Sequence, residues 1–214
     1  ELPANMRASI NTAPKPDPER VKVMASEFMT ANGFMEMMNN SLTKSDYYAN
    51  LKTYPQEKCV MVVNPLSSDL NCMRQTLLLN GLEVIAYNIN RQQNDLKLYE
   101  YGNVYSFNSD FKAPEFDASN PEEALAHRSD ALKAYSEEPK FTLFITGNGY
   151  QGWRNRTVGG NFFALKGYLE LLLSKFGITL ANLEYEAAPS DLFAEGLVYK
   201  MNGGKEYDTD LIDN

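Results

Sequence analysis

The sequence has few of the residues on which most catalytic and metal sites depend. His127 is its only histidine, and Cys59 and Cys72 are its only cysteines among 214 residues. One histidine excludes a zinc site built on histidines, and it would have to be the base of any histidine-dependent triad. Its polar surroundings indicate a surface position. Two cysteines without a C-x-x-C motif exclude a disulfide framework, so we expect a reducing compartment and a small, buried, hydrophobic role for Cys59.

Long apolar runs and an excess of positive charge are also missing. No apolar run reaches the ~18 residues of a membrane-spanning helix, and the N-terminal segment lacks the apolar core of a signal peptide. The net charge of −8 argues against a stand-alone nucleic-acid-binding protein. An apolar fraction of 43% is enough for a sizeable core in one large domain or two small ones. The chain begins with Glu1 rather than Met, which indicates a processed protein or a piece of a longer one.

Helical and strand patterns alternate along most of the chain. Residues 1–17 are rich in proline, which predicts an extended arm or linker. A helix is predicted over 18–32, with Asp17 as its cap and Gly33 as its end. Further helices are predicted over 46–51, from Thr76 to Ile89, from Asn120 and over 162–176, and strands over 34–42, 58–63, 96–107, 141–146, 183–187 and 197–201, with a turn at Asn202-Gly203.

Two glycines inside these elements carry separate expectations. Gly81 lies within a predicted helix and indicates close packing against another element. Gly102 lies within a predicted strand and indicates a bulge or bend.

The relative direction of the strands is ambiguous from the sequence pattern. Alternating helices and strands favour a parallel sheet, whereas polar–apolar alternation within strands favours an antiparallel one.

A glycine-rich motif at Gly147–Gly152 has the G-x-G-x-x-G spacing of dinucleotide-binding sites and follows a predicted strand. In such sites the last glycine opens a helix whose N-terminus receives the phosphate. Here the polar segment 153–157 intervenes, and the helix begins only near Phe162. We interpret the motif as a flexible loop and keep a nucleotide-binding domain built on it as the alternative function.

Two blocks of sequence carry a longer and more specific pattern. The first block includes Asn64-Pro65-Leu66-Ser67, Met73-Arg74-Gln75-Thr76-Leu77-Leu78, Gly81-Leu82, Asn88-Ile89-Asn90-Arg91 and Leu98-Tyr99-Glu100-Tyr101-Gly102. The second block runs from Phe162 to Leu172 and contains Lys166-Gly167. Together they resemble the β subunits of bacterial phenylalanyl-tRNA synthetases, in their class II synthetase-like core. The resemblance covers roughly residues 18–200.

The resemblance implies an α+β fold, in which an antiparallel sheet is flanked by helices as in class II aminoacyl-tRNA synthetase cores. It implies one domain over 18–214 behind the arm 1–17. It further implies a cytoplasmic (αβ)₂ ligase that joins phenylalanine to its tRNA, with the catalytic site on the α subunit. ATP and magnesium are then cofactors of the intact enzyme, and none belongs to this fragment. The implied partners are the α subunit and, mainly through domains outside this chain, tRNA, with no membrane.

The chain departs from the catalytic class II pattern where ATP would be held. The resemblance places a phosphate-binding arginine shortly after the strand that ends at Tyr105, but Ser106-Phe107-Asn108-Ser109 follow. We therefore expect no catalytic, cofactor-binding or metal-binding residue, and we expect Arg74 to be a structural hydrogen-bonding residue. Helix 18–32 and segment 64–79 are the expected contact surfaces. The structural or interface candidates are Asn64, Pro65, Arg74, Gly81, Glu100, Gly102, Lys166 and Gly167.

Overall fold

The computed structural model describes residues 17–112, 130–148, 160–188 and 190–201, together with the backbone of 209–213. The expectations for the arm, for His127, for the helix at Asn120 and for the turn at Asn202-Gly203 fall outside these residues. The division into an arm over 1–17 and a domain over 18–214 stays a prediction. Within the described residues, no helix combines the length and the apolar character that a membrane crossing requires.

The described residues contain three α-helices, namely α1 (Pro18–Ala31), α2 (Leu78–Ile89) and α3 (Phe162–Lys175). Each was predicted from sequence, and α1 shows why. The carboxylate of Asp17 accepts a hydrogen bond from the backbone N–H of Glu19 at 3.1 Å. Pro18 occupies the first turn, where no N–H donor is needed. Gly33 follows the helix with φ +81°, a left-handed conformation that glycine adopts without strain.

Strands occupy short and long segments of the described chain. They are β1 (Met35–Glu36), β2 (Leu42–Thr43), β3 (Cys72–Met73), β4 (Leu96–Phe107), β5 (Tyr135–Thr146), β6 (Leu183–Ala187), β7 (Glu195–Met201) and β8 (Thr209–Asp213). The sheets are β1-β4-β5, β2-β3 and β6-β7-β8. All their strand pairs are antiparallel except β1 with β4, so the antiparallel expectation is confirmed.

The β4–β5 hairpin is the centre of the fold. Its register is unbroken from Leu96 opposite Thr146 to Phe107 opposite Tyr135. The bulge expected at Gly102 is therefore wrong, because this residue pairs regularly with Lys140. Strand β5 also begins earlier than the predicted start of 141.

Two of the predicted strands are largely wrong, and the predicted helix over 46–51 is a 3-10 helix at Ser45–Tyr48. Of segment 34–42, only Met35–Glu36 pairs with β4, and Leu42 belongs to the separate strand β2. Segment 58–63 makes one bridge, between Met61 and Cys72, instead of a strand. Short elements of this kind carry too few residues for a periodic signal.

The core has two layers, one on each face of the hairpin. Helices α1 and α3 cover one face, where Ala25, Met29, Phe34, Tyr99 and Leu172 are buried together. Helix α2 covers the other face, where Met37, Ile85, Leu96, Leu98 and Phe144 are buried together. A third cluster contains Tyr48, Cys59 and Cys72, so the expected burial of Cys59 is confirmed. An antiparallel sheet flanked by helices is the architecture that the family resemblance implies.

Candidate functional site

A buried ion pair joins Arg74 to Glu100 beneath the α2 face of the hairpin. Nη1 of Arg74 donates to Oε1 of Glu100 at 2.7 Å, and the two side chains are only 3% and 1% exposed. Glu100 belongs to β4, and Arg74 directly follows β3. The pair therefore connects the small β2-β3 sheet to the central hairpin through a charge-assisted hydrogen bond.

Three further hydrogen bonds reach other polar atoms of the pair. Nε of Arg74 donates to the carbonyl oxygen of Asn103 at 3.0 Å. Nδ2 of Asn39 donates to Oε2 of Glu100 at 2.7 Å, and the Asn39 backbone N–H donates to Oε1 at 3.3 Å. These bonds offset the free-energy penalty of removing two charges from water, which is otherwise several kcal/mol per ion. The arrangement is that of a structural arginine, held by protein groups.

Gly102 is glycine because the Arg74 guanidinium lies directly against its Cα. A Cβ at this position would overlap Nη2 of Arg74 and would approach Cδ2 of Leu77 to 2.8 Å. Close approach of a neighbouring side chain, rather than a bulge, explains this residue. Gly81 has a similar environment, since a Cβ there would overlap the ring of Phe144 from β5. Helix α2 and the hairpin therefore pack more closely than a residue with a side chain at position 81 would allow.

The other predicted residues lie apart from this network. Asn64 and Pro65 are exposed in the segment between Met61 and Ser68. Nζ of Lys166 lies 3.8 Å from Oε1 of Glu170 in α3, and a Cβ at Gly167 would meet nothing within 4 Å. The structure brings Arg74, Glu100 and Gly102 together and leaves these four elsewhere. Their roles in binding a partner stay predictions.

An exposed apolar surface surrounds Asn64 and Pro65. We call Met61, Val63 and Leu66 the 61–66 patch. Val63 is 90% and Leu66 102% exposed, and more than half of Met61 is accessible. Single exposed aliphatic residues are ordinary, but a run of them in one short segment is typical of a surface that is covered in an assembly.

Cavities in the described residues do not resemble a nucleotide site. One, of about 550 Å³, lies between the start of α3 and strands β6 and β7, and Glu195 is the only charged residue of its lining. A smaller one, of about 200 Å³, lies at the outer end of the hairpin beside Lys58, Lys140 and Glu138. Within the described ranges, no three His, Cys, Asp or Glu side chains are grouped to hold a metal ion.

Sequence reasoning missed Asn39 and Asp191. The Asp191 carboxylate accepts hydrogen bonds from the backbone N–H of Lys52 and from the hydroxyl of Thr53, and its Oδ1 lies 3.3 Å from the Thr53 backbone N–H. It thereby ties the segment before β7 to a loop near the start of the fold. The sequence contains no local pattern that predicts this contact, because Asp191 is far along the chain from Lys52 and Thr53.

The contacts of Asp191 predict a local pH dependence. The hydroxyl of Thr53 and the backbone N–H of Lys52 hold the pKa of Asp191 below its usual value. A carboxyl whose pKa is lowered by folding stabilises the fold above its unfolded pKa of about 3.9, and this stabilisation is lost as pH falls through the lower, folded pKa. NMR titration should therefore show the amide resonances of Lys52 and Thr53 shifting below about pH 4. In Asp191→Asn these two amides should show no such shift, and a titration that persists would contradict the assignment.

Comparison of the sequence with known proteins identifies one family. Residues 3–204 match the family described as "Phenylalanyl tRNA synthetase beta chain CLM domain". The phenylalanine–tRNA ligase beta subunit of Bacteroides thetaiotaomicron is 39% identical over 207 residues, which are 96% of this chain and 24% of that protein. The corresponding subunit of Porphyromonas gingivalis is 34% identical over 209 residues, with the same two coverages of 96% and 24%. The chain thus spans about a quarter of the length of these relatives.

Solved structures share the fold at low sequence identity. A pyrrolysyl-tRNA synthetase of Desulfitobacterium hafniense superposes with a TM-score of 0.54 at 14% identity. The match covers 87% of this chain and 55% of the synthetase chain. A second structure of a pyrrolysyl-tRNA synthetase from the same organism gives a TM-score of 0.55 at 12% identity. The expected class II synthetase-like fold is therefore confirmed.

Proposed function

Because the chain belongs to the family of phenylalanyl-tRNA synthetase beta chains, we propose that it is the non-catalytic, class II-like core of a phenylalanine–tRNA ligase β subunit. The intact ligase is a cytoplasmic (αβ)₂ assembly that joins phenylalanine to tRNA with ATP and magnesium. The α subunit carries the catalytic site. This core holds that subunit in place through its surface.

The non-catalytic role is supported by the contacts of the described arginines and by the close packing of α2 against the hairpin. A nucleotide phosphate is best held by a guanidinium that is free to form two parallel hydrogen bonds. Of the three described arginines, Arg20 lies exposed on α1, away from the hairpin face that α2 covers. Arg74 is committed to Glu100 and to the backbone of Asn103, and Arg91 stacks 3.3 Å above the ring of Tyr87. The packing of Phe144 against Gly81 further closes the space between α2 and the hairpin. These residues do not fit ATP or its magnesium, and no step through either is assigned to them.

The partner surface is proposed from exposure and charge. The 61–66 patch and the outer side of α1, where Val21 and Val23 are about half exposed, supply apolar area. Such surface is favourable to bury against another subunit, at roughly 25 cal/mol per Å². The net charge of −8 makes this chain a poor place for the main electrostatic contact with tRNA.

Nucleotide binding by Gly147–Gly152 receives no support from the described part of that loop. The backbone N–H of Asn148 donates to Oδ1 of Asp95 at 2.8 Å. A carboxylate therefore occupies the place at which an N–H would meet a phosphate, and it would repel one. Among the described residues, the next helix, α3, begins at Phe162, ten positions beyond Gly152. The remaining residues of the motif lie outside the described ranges.

One experiment tests both halves of the proposal. The full-length subunit is co-expressed with a tagged α subunit, and Leu66→Asp is compared with Leu180→Asp. Both leucines are exposed, so both variants should fold, but only Leu66 lies in the 61–66 patch. We expect Leu66→Asp to reduce recovery with α at least about tenfold, because a charge must then be desolvated at the interface. Leu180→Asp should co-purify normally.

Catalysis is measured on the same preparations as phenylalanine-dependent exchange of pyrophosphate into ATP. The complex should catalyse the exchange, and the isolated chain should not. Turnover by the isolated chain would refute the non-catalytic role. Equal recovery of α by both leucine variants would remove the 61–66 patch from the interface.

A further inference from the structure

The only two cysteines of the chain lie side by side in the third core cluster. Cys59 is 4% and Cys72 0% exposed, and both are free thiols. Met61 is the bridge partner of Cys72, and the N–H of Met73 donates to the carbonyl oxygen of Val60 at 2.9 Å. In this antiparallel register Cys59 is the diagonal neighbour of Cys72 on the same face. The fold thus brings together two thiols that the sequence separates.

The two thiols have different chemical environments. The thiol of Cys72 donates to the carbonyl oxygen of Thr43 at 3.5 Å, and Nε2 of Gln75 donates to Sγ of Cys59 at 3.0 Å. The proximity of the Cys72 thiol and the bond from Gln75 outweigh the opposing effect of burial and lower the pKa of the Cys59 thiol. The same contact and burial raise the pKa of Cys72. Of the two, Cys59 therefore has the larger thiolate fraction and is the nucleophile, since the thiolate is the reactive form of cysteine.

We propose that Cys59 and Cys72 are a peroxide-sensitive pair that closes an intrachain disulfide. The Cys59 thiolate attacks one oxygen of hydrogen peroxide, the O–O bond breaks, and the leaving hydroxide takes a proton to become water. The product is a sulfenic acid on Cys59. The sulfur of Cys72 then attacks the sulfenic sulfur, the S–O bond breaks, and the leaving oxygen departs as a second water with the Cys72 proton. Two electrons pass from the thiols to the peroxide.

Oxidation of Cys59, which is 4% exposed, requires a local opening of the turn that precedes it. Gln56, Glu57 and Lys58 form an exposed 3-10 helix, and Cys59 is the next residue. Hydrogen peroxide is little larger than water and needs only a small opening of this turn. Cys72 lies deeper and has the higher pKa, which suits it to react second.

Closing the disulfide would tie both ends of the segment that carries the 61–66 patch. Oxidation should therefore restrict this surface without adding or removing a charge on it. The chemistry of the pair is independent of the proposed function, and only its effect on α-subunit binding rests on that proposal.

Digestion with trypsin provides a direct test, because cleavage after Lys58 and Arg74 releases one peptide, residues 59–74, that contains both cysteines. The full-length subunit, assembled with α, is treated with hydrogen peroxide, quenched, unfolded in N-ethylmaleimide and digested. We expect the 59–74 peptide to be unlabelled and lighter by two hydrogens. After dithiothreitol it should carry two maleimide groups.

Two variants separate the steps. Cys72→Ser should stop at the sulfenic acid, which dimedone traps on Cys59. In Cys59→Ser, Cys72 should be oxidised at least about tenfold more slowly than Cys59 is in the native chain, because the thiolate fraction of Cys72 is much smaller. Circular dichroism of both variants checks that the fold persists.

The proposal is overturned if the peptide stays doubly labelled after peroxide, if the two cysteines proceed separately to sulfinic acid, or if the disulfide forms only after unfolding. A disulfide that forms normally in a subunit that fails to bind α would leave this proposal standing and refute the proposed function alone.

Discussion

Replacing Glu100 with leucine should lower the free energy of unfolding by about 3–5 kcal/mol. The substitution leaves the Arg74 guanidinium buried without a counter-charge, and it removes the acceptor of both Asn39 hydrogen bonds. An uncompensated buried charge is more destabilising than the loss of attraction alone, because the charge has already been removed from water. Urea unfolding followed by circular dichroism measures the change.

Two controls identify burial as the cause. Glu186 pairs with Lys200 at 2.7 Å, the same distance as the buried pair, but Glu186 is 59% exposed. Glu186→Gln should therefore change stability by at most about 1 kcal/mol. The double variant Arg74→Met/Glu100→Leu should recover most of the loss, since apolar residues of similar volume often replace a buried pair without penalty. A double variant as unstable as Glu100→Leu would contradict this explanation.

The second large effect is a change in stability that has opposite signs when two helical glycines are replaced with alanine. Gly81→Ala should destabilise the fold by about 1–2 kcal/mol, whereas Gly167→Ala should stabilise it by up to about 1 kcal/mol. Alanine favours the helix at both positions. In α2 the new methyl group overlaps the Phe144 ring, while in α3 it meets nothing within 4 Å. Overpacking, at about 1–3 kcal/mol, outweighs propensity only in α2.

A compensating substitution tests the role of the ring. Phe144→Leu removes the atoms that the alanine methyl would strike, so Gly81→Ala should be less harmful in that background than in the native chain. The measurement is again urea unfolding of the four variants of the cycle. Additive effects of the two substitutions would show that Gly81 is not constrained by Phe144.

The helices and the long strand β4 were predictable because each has a complete local signal. Asp17, Pro18 and Gly33 mark both ends of α1, and β4 begins with alternating Leu96-Lys97-Leu98 and is rich in aromatic residues, which favour strands. The first half of β5 has no such signal. Residues 135–140 are exposed on both faces, so they show no apolar alternation, and only the ladder with β4 makes them a strand.

The polar network was predictable in its members but not in its connections. Arg74 and Glu100 were both identified as candidates, yet neither their ion pair nor the contribution of Asn39 could be inferred from their spacing. Helix α2 shows the same limit. Leu82 shares the predicted apolar face with Ile85 but is partly exposed, because the buried face is centred on Gly81, which has no hydrophobicity to detect. Tertiary packing, rather than local pattern, decides such cases.

The contact between Asp191 and Lys52 also constrains the order of events during synthesis. The two residues are separated by 139 positions, so at 5–20 residues per second the loop at Lys52 emerges roughly 7–28 s before its partner. During that interval the loop depends on contacts made earlier in the chain. The hydroxyl of Tyr48 accepts a hydrogen bond from the backbone N–H of Gln75 at 3.1 Å, which provides one such contact. On the ribosome, the Asp191 carboxylate therefore becomes available only after the loop at Lys52 and its contacts with residues up to Gln75 can form.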